Sequence, residues 1–274
     1  MLEQLNIAGL NKVEVAIKRL QTFEPPEGYY LAFSGGKDSV VIKALADMAG
    51  VKYDAHYNHT SVDPPELIYF IREHHPDVKI EYPRYKDGSR ITMWNLIPKK
   101  KMPPTRITRY CCEFLKEHGG DGRFTVTGVR WAESVNRRNS RAGLEISDST
   151  KTRKRLCADP DNPDNAEMAR FCSTKGKHIL NPTIDWEDED VWEFIHRYEI
   201  PYCCLYDQGY TRLGCIGCPM TRGAARELEA YPKFKKAYLK AFEKMLEERA
   251  KAGKTTEWKT PEEVMKWWLQ EEQR

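Results

Sequence analysis

The sequence lacks the features that mark membrane and secreted proteins. No apolar run in its 274 residues approaches the length needed to cross a bilayer. Residues 1–4 provide neither the basic flank nor the apolar core of a secretion signal. We therefore expect a cytoplasmic protein without a membrane partner.

A large excess of charge of one sign is also missing. The formal net charge is +3, which is too small to predict a nucleic-acid partner for the chain as a whole. Two segments are locally basic, residues 99–101 and residues 137–155, and each is either a solvated loop or a contact for a polyanion. DNA, tRNA and a small metabolite all stay open as partners, and so does the oligomeric state.

The chain contains eight cysteines but no secretion signal, which argues against a disulfide framework because reducing compartments keep thiols free. Metal binding is then the use to consider. Cys215 and Cys218 lie in a Cys-x-x-Cys loop bracketed by glycines and Pro219, which can present two thiolates to one zinc or iron–sulfur centre. The other cysteines are Cys111, Cys112, Cys157, Cys172, Cys203 and Cys204.

Residues 34–39, Ser-Gly-Gly-Lys-Asp-Ser, are the most informative motif that is present. They follow the apolar run 29–33 and precede the helix-like stretch 40–49, so the sequence predicts a strand, a glycine turn and a helix start. The turn and the first helical N–H groups favour an anion such as phosphate. The upstream glycine of a Walker loop is missing. The alternative is a glycine turn that only connects a strand to a helix.

Strands and helices alternate along the next part of the chain. The sequence predicts further strands at residues 51–57, 78–82 and 123–129, and helices at residues 10–20, 66–74, 231–250 and 261–270. Alternation predicts an α/β fold with a mostly parallel sheet flanked by helices. Ligands of such sheets bind beyond the carboxyl ends of the strands, where the glycine loop would meet the loops after Tyr57 and Val129.

We divide the chain into three regions on composition and pattern. Residues 1–27 are predicted to form an N-terminal packing helix, residues 28–200 a nucleotide-binding α/β domain, and residues 201–274 a helical, cysteine-containing appendage. Within the second region, residues 146–177 are rich in turn formers and are predicted to be an irregular insertion that acts as a mobile lid.

The motif at residues 34–39 resembles the SGGxDS loop of the PP-loop ATP pyrophosphatases and of the sulfonucleotide reductases. Residues 59–66, 128–134 and 181–192 resemble further motifs of this family, in the family's order. The last of them is similar to a stretch of phosphoadenylyl-sulfate (PAPS) reductases and of DndC-type DNA phosphorothioation proteins. The resemblance covers about residues 28–220 and implies the adenine nucleotide α-hydrolase-like (PP-loop) fold.

The resemblance also implies which residues bind the adenine nucleotide. Lys37, Asp38 and Arg130 would carry the chemistry: Lys37 neutralises phosphate charge, Arg130 holds two anion oxygens, and Asp38 holds Mg²⁺ or fixes the loop. A helix cap for Asp38 and a surface salt bridge for Arg130 are the alternatives. The full nucleotide-binding set is Ser34, Gly35, Gly36, Lys37, Asp38, Ser39, Thr60, Gly128, Arg130, Glu133 and Ser134.

Cys111 and Cys112, with Cys215 and Cys218, form a CC…CxxC pattern. The pattern resembles the [4Fe-4S] ligand set of assimilatory adenylyl-sulfate (APS) reductases, which implies an iron–sulfur cluster. Cys172 or Cys203 could replace one of the adjacent pair, and zinc is the alternative metal. Each cysteine could instead be a small core residue.

The reductases act through a nucleophilic cysteine in a C-terminal Glu-Cys-Gly-x-His tail, and this sequence has no cysteine after Cys218. We therefore do not expect the classical reductase activity. The resemblance to DndC-type proteins implies a transferase that cleaves ATP to AMP and pyrophosphate and activates an acceptor, either nucleic acid or metabolite, for sulfur transfer from a donor. One alternative is an oxidoreductase that reduces APS or PAPS with a partner thiol. Another is a noncatalytic nucleic-acid adaptor stabilised by zinc, whose binding would depend strongly on salt.

Overall fold

The structure is a computed structural model, and it describes residues 1–6, 8–117, 119–147, 155–171, 177–221 and 223–270. The strands are β1 (Tyr29–Ala32), β2 (Tyr53–Asn58), β3 (Lys79–Glu81), β4 (Phe124–Val126), β5 (Leu144–Ser147), β6 (Arg155–Ala158) and β7 (Lys177–Leu180). The helices are α1 (Lys12–Thr22), α2 (Lys37–Ala49), α3 (Pro65–His74), α4 (Met93–Lys100), α5 (Tyr110–Leu115), α6 (Val135–Ser140), α7 (Asp164–Phe171), α8 (Asp188–Arg197), α9 (Ala224–Ala230), α10 (Pro232–Lys251) and α11 (Pro261–Gln270).

The strands of the described residues form one mixed sheet in the order β3-β2-β1-β4-β7-β5-β6. The pairs β1 with β2, β1 with β4 and β4 with β7 are parallel, whereas β5 pairs antiparallel with both β7 and β6. Helices connect the parallel strands, as crossover geometry requires. The predicted α/β fold with a mostly parallel, helix-flanked sheet is therefore confirmed.

The chain divides into two compact units. The first unit comprises residues 1–57, 66–80 and 119–213, and the second comprises residues 58–65, 81–118 and 214–274. The first unit has a core around Leu31, Leu45 and Phe194, and the second has its own core around Phe242 and Trp268. The boundaries predicted at residues 27/28 and 200/201 stay predictions.

Short-range sequence signals explain where several helices begin. Asn11 begins α1 with a capping box, because its side chain accepts from the Glu14 amide while Glu14 accepts from the Asn11 amide. Helix α2 instead begins at Gly36, which offers no side-chain cap, so the amides of its first turn need acceptors from elsewhere. Acidic residues fill the first turn of α8, where the helix dipole favours them.

The region predicted as an irregular insertion, residues 146–177, contains regular structure. Strand β6 pairs with β5 through the register Glu145 to Cys157, and helix α7 follows Pro163. The turn formers at residues 159–163 therefore connect a strand to a helix and do not mark a whole irregular segment. Strand β6 has only four residues, Arg-Leu-Cys-Ala, which is too short for a periodic apolar pattern, so the sequence carries no clear local signal for it.

Helices at the end of the chain follow the prediction closely. Residues 231–250 were predicted as a helix and correspond to α10, and the predicted helix at residues 261–270 is α11. Among the described residues, no helix combines the length and the apolar character that a membrane span requires.

Candidate functional site

The glycine loop of the first unit has the predicted strand-turn-helix form. Strand β1 ends at Ala32, and α2 begins directly after Gly36. Ser34 and Ser39 close the loop from both sides, because the Ser34 hydroxyl donates to the Ser39 hydroxyl at 3.2 Å and the Ser39 hydroxyl donates to the Gly36 carbonyl at 2.8 Å. These two serines therefore shape the loop from within.

Glycine is required at Gly35 and Gly128 for steric reasons. Gly35 has φ +74°, and a Cβ there would lie 2.6 Å from the Cδ1 atom of Leu67 in α3. At Gly128, a Cβ would lie 2.9 Å from the Asp38 carbonyl oxygen. The loop after β4 therefore packs directly against the first turn of α2, as predicted from the convergence of strand ends.

Lys37 is the first residue of α2 and contributes two hydrogen-bond donors to the loop, its backbone amide and its side-chain ammonium. Its backbone amide donates to the Tyr206 hydroxyl at 2.8 Å. The side chain is 6% exposed, and its ammonium lies 3.4 Å from the Thr211 carbonyl oxygen and 3.5 Å from a carboxylate oxygen of Asp188. Burial raises the pKa of Tyr206, so its hydroxyl stays protonated.

Arg130 is 1% exposed and is held at all three guanidinium nitrogens. Its Nε donates to Asp38 at 2.7 Å, its Nη1 to the Trp186 carbonyl at 3.1 Å, and its Nη2 to Asp188 at 2.5 Å. Burial by itself lowers the pKa of Arg130, but the nearby carboxylates of Asp38 and Asp188 outweigh burial and raise it. The guanidinium is thus a permanently charged group at the start of α2.

Asp38 and Arg130 therefore form one structural pair. The carboxylate of Asp38 is partly exposed and accepts the hydrogen bond from Arg130 Nε. Its second oxygen lies 3.9 Å from the Lys37 ammonium. This arrangement corresponds to the predicted loop-fixing role of Asp38, while its role toward Mg²⁺ stays a prediction.

Glu133 and Ser134 organise the segment that follows Arg130. The Arg130 amide donates to Glu133 at 3.0 Å, and the Glu133 carboxylate also pairs with Arg137. Ser134 caps α6 by accepting from the Arg137 amide at 3.2 Å. Both residues hold the backbone around Arg130, and their predicted contact with the nucleotide stays a prediction.

Thr60 belongs to the second unit. It is 1% exposed, and its amide and hydroxyl both donate to Asp63 at 2.7 Å. The Cys215 thiol donates to the Thr60 hydroxyl at 3.5 Å. The structure thus groups Thr60 with the cysteines of its own unit, and its predicted role toward the nucleotide stays a prediction.

The four predicted metal-ligand cysteines all belong to the second unit. Cys111 and Cys112 open α5, whereas Cys215 and Cys218 lie in the loop before α9, where Gly217 adopts φ +68°. The hydrogen bond with Cys112 and burial raise the pKa of the Cys111 thiol, and the charges of Cys215 and Cys218 raise it further. All four thiols are partly buried and free of disulfides. Their role as one ligand set stays a prediction.

Two basic side chains accompany these thiols. Arg109 Nη2 donates to the Cys112 sulfur at 3.5 Å, and the charge of Cys215 is the largest influence that raises the pKa of Lys116. The contact with Cys111 lowers the pKa of Cys112, and Arg109 lowers it further. Burial raises the pKa of Cys215 to about 11, against the opposing charge of Lys116. Cations beside thiols favour the thiolate forms that bind metals.

The described residues contain no group of three or more His, Cys, Asp or Glu side chains arranged to hold a single metal ion. Among the other predicted candidates, Cys203 is fully buried in the core of the first unit, which matches its interpretation as a core residue. Cys157 and Cys204 are exposed. Cys172 lies outside the described residues.

Sequence reasoning missed three residues that contact the loop: Asp188, Tyr206 and Thr211. Asp188 falls within the motif at residues 181–192, but it lies in the first turn of α8, where the helix dipole by itself favours an acidic residue. Tyr206 and Thr211 lie about 170 residues from Lys37 in sequence and belong to no motif. Only the tertiary fold places them at the start of α2.

Comparisons with known proteins identify the family of this chain. A family model with the description "Phosphoadenosine phosphosulfate reductase domain" matches residues 28–221. An uncharacterized protein of Methanocaldococcus jannaschii is 28% identical over 228 residues, which cover 78% of this chain and 40% of that protein. The adenosine 5'-phosphosulfate reductase of Staphylococcus haemolyticus is 26% identical over 189 residues, covering 65% of this chain and 61% of the reductase.

A third relative is a probable FAD synthase of Caenorhabditis elegans, 25% identical over 218 residues, which cover 76% of this chain and 33% of that protein. The chain thus spans well under two thirds of the length of several relatives that it matches. Because the family description covers more than half of the chain and includes the glycine loop, Arg130 and all four clustered cysteines, the chain belongs to the phosphoadenosine phosphosulfate reductase family.

Proposed function

We propose that the protein binds ATP through its phosphates at the glycine loop, cleaves it between the α and β phosphates, and uses AMP to activate an acceptor for sulfur transfer. The observation that supports this function is the convergence of loop amides with two buried cations, Lys37 and Arg130, at the start of α2. Fixed donors of this kind stabilise negative charge that develops on a leaving pyrophosphate.

The proposed chemistry is balanced without a reductant. An acceptor oxygen attacks the α phosphorus, the bond from that phosphorus to the bridging oxygen breaks, and pyrophosphate leaves. Sulfur at the oxidation level of sulfide then displaces AMP from the acceptor. Lys37 and Arg130 would hold the charge of the leaving group, and Asp38 keeps Arg130 in place through their 2.7 Å hydrogen bond.

Asp38 is also the residue that would meet the Mg²⁺ ion that accompanies ATP. One carboxylate oxygen is bonded to Arg130, and the other lies beyond hydrogen-bonding distance of Lys37, at 3.9 Å. A carboxylate oxygen is the ligand type that Mg²⁺ takes in phosphoryl-transfer sites.

The state of Cys203 argues against this thiol as the nucleophile of a reductase. A reductase needs an ionised thiol as its nucleophile. The Cys203 carbonyl accepts from the Tyr206 amide at 3.1 Å, so this cysteine lies near the loop, yet it is fully buried, and burial raises the pKa of its thiol to about 11. Such a thiol is poorly suited to nucleophilic attack.

The second unit offers a set of four thiols, which is the donor type that a [4Fe-4S] cluster takes. A cubane takes one thiolate at each of its four irons. Cys111, Cys112, Cys215 and Cys218 would hold the cluster, with Arg109 and Lys116 offsetting negative charge. When bound, the cluster would supply electron transfer or a means of handling sulfur.

Reduction of a sulfonucleotide by a partner thiol is the second candidate. It is favoured by the similarity to an adenosine 5'-phosphosulfate reductase, although the matched segment covers only part of each protein. The probable FAD synthase, whose product is an adenine dinucleotide, favours the first candidate. Both candidates use the same phosphate-binding groups, so product analysis is needed to separate them.

The two functions are separated by their products. Anaerobically purified protein would receive ATP, APS or PAPS, with Mg²⁺, dithiothreitol as the thiol and total RNA or DNA as the acceptor, and both pyrophosphate and sulfite would be measured. We expect pyrophosphate from ATP and none from a Lys37→Met variant, with Lys52→Met as an exposed-lysine control. Sulfite from APS or PAPS, without pyrophosphate from ATP, would overturn the proposal.

A further inference from the structure

Asp188 is an exposed carboxylate that holds two cations of the proposed phosphate site. It lies in the first turn of α8, and its side chain is 62% exposed. One oxygen, Oδ1, accepts from Arg130 Nη2 at 2.5 Å and lies 3.5 Å from the Lys37 ammonium. A single carboxylate oxygen thus bridges the two cations that the proposed function assigns to phosphate.

The neighbouring acids of α8 are used differently. Asp190 is fully buried and pairs with Lys12. Glu189 is exposed, and it makes no ion pair with any residue in the described ranges. The contact of Asp188 with Arg130 and Lys37 is therefore specific to this position and not a general property of an acidic helix start.

Asp188 is also the most replaceable partner of Arg130. The Trp186 carbonyl is part of a fixed backbone, and Asp38 belongs to the loop itself, with a side chain that is only 26% exposed. Asp188 can turn into water at low cost because most of its side chain is already solvated. A phosphate oxygen and a carboxylate oxygen make the same charge-assisted hydrogen bond to a guanidinium.

We propose that Asp188 is an internal competitor for the phosphate site: a ligand's phosphate must displace its carboxylate from Arg130 and Lys37. This inference rests on the proposed function, because it takes these two cations as phosphate ligands. Its consequence is selectivity for ligands with two or more adjacent negative groups, because a single anion gains little by replacing a carboxylate that already satisfies both cations.

The electrostatics of Asp188 agree with this role. Partial burial raises the pKa of Asp188, but the hydrogen bond from Arg130 and the charge of Lys37 outweigh burial and lower it. The carboxylate is therefore ionised at neutral pH and competes as an anion. The Tyr206 hydroxyl similarly engages a donor of the loop, because it accepts a hydrogen bond from the Lys37 amide at 2.8 Å.

The test is the affinity for inorganic pyrophosphate, measured by titration calorimetry on the full chain. We expect Asp188→Asn to bind pyrophosphate roughly 3- to 10-fold more tightly than the unchanged protein, because an exposed competing ion pair is removed. Glu189→Gln makes the same charge change one residue further along the helix and should leave the affinity within about twofold.

Asp188→Glu keeps the charge and should show no tightening, which separates competition from a mere change of helix stability. Melting temperatures would verify that all variants are folded. Equal or weaker binding by Asp188→Asn, in a folded protein whose unchanged form binds pyrophosphate, would overturn the inference alone. If neither protein binds pyrophosphate, the proposed function fails and the inference fails with it.

Discussion

The two candidate sites of this chain differ in what holds them in place. In the first unit, Lys37 and Arg130 are each paired with carboxylates and backbone carbonyls of the protein, so the site is shaped before any ligand binds. In the second unit, the contacts of the four cysteines include Thr60 and Arg109, and the charge of Lys116 acts on Cys215. Their arrangement does not suit a single metal ion within the described residues.

This difference predicts different responses to substitution. A preorganised site loses affinity when one of its charged groups is removed, but its surroundings persist. A set of cysteine ligands that is ordered by its metal should lose the metal altogether when one ligand is removed, because metal binding and local folding are coupled. Substitutions in the two units therefore distinguish a loss of affinity from a loss of metal.

The largest effect is expected at the cysteines. Cys215→Ser should lower the iron and sulfide content of anaerobically reconstituted protein roughly tenfold or more, because one of four thiolate ligands is lost. Cys204→Ser, at an exposed cysteine of the first unit, is the matched control and should retain both. Zinc in place of iron in the unchanged protein would contradict the cluster.

A smaller loss is expected in the first unit for Lys37→Met. Removal of the buried ammonium that the proposed function assigns to phosphate should weaken ATP binding roughly 10- to 100-fold, as measured by calorimetry. Lys52→Met removes the same charge from an exposed position and should change the affinity little. The loop site would not be the nucleotide site if both variants bound ATP like the unchanged protein.

Substitution of the loop glycine tests whether the loop is shaped by packing. Gly35→Ala should cost about 2–4 kcal/mol in the free energy of unfolding, since it combines positive φ with a clash against Leu67. Gly50 has a similar φ of +67° but no atom within 4 Å of its hypothetical Cβ, so Gly50→Ala isolates the backbone term. Equal costs in chemical denaturation would show that packing at Gly35 is loose.

The smallest effect concerns the stability of the fold in acid, through His75. His75 is buried against Phe33 and Phe70, and burial lowers its pKa from 6.5 to about 4. As the pH falls, the unfolded chain therefore binds a proton at His75 at a higher pH than the folded chain does. The free energy of unfolding should then fall by on the order of 1 to 3 kcal/mol between pH 6.5 and pH 4. Outside that window the contribution of His75 should be constant.

His75→Gln should remove this part of the pH dependence, whereas His74→Gln, at the exposed neighbour, should keep it. The readout is the free energy of unfolding in urea at several pH values. A slope that survives in His75→Gln would assign the acid sensitivity to other groups.

Local motifs made the glycine loop predictable from sequence. Two glycines, a following helix pattern and a preceding apolar run are contiguous, and each has a direct conformational meaning, so residues 34–39 and helix α2 could be placed. The convergence of Gly128 with the loop followed from the rule that parallel strands end at one edge.

Contacts that depend on distant pairing could not be predicted in the same way. The bond between the Lys37 amide and Tyr206 joins residues 169 positions apart, so no local pattern predicts it. Strand β6 pairs with its neighbour β5, but its four residues are too few to show a periodic pattern. Thr60 follows strand β2 of the first unit but belongs to the second unit. The sequence next to a strand end therefore does not show to which compact unit a loop belongs.

The central claim is that ATP is split between its α and β phosphates. The most direct measurement supplies ATP labelled at either the α or the γ phosphorus, with nucleic acid as the acceptor and the sulfur donor omitted. The proposed function predicts that label from the α position, and not from the γ position, transfers to the acceptor while pyrophosphate is released. Release of ADP, or formation of sulfite from APS without any transfer of the α label, would contradict it.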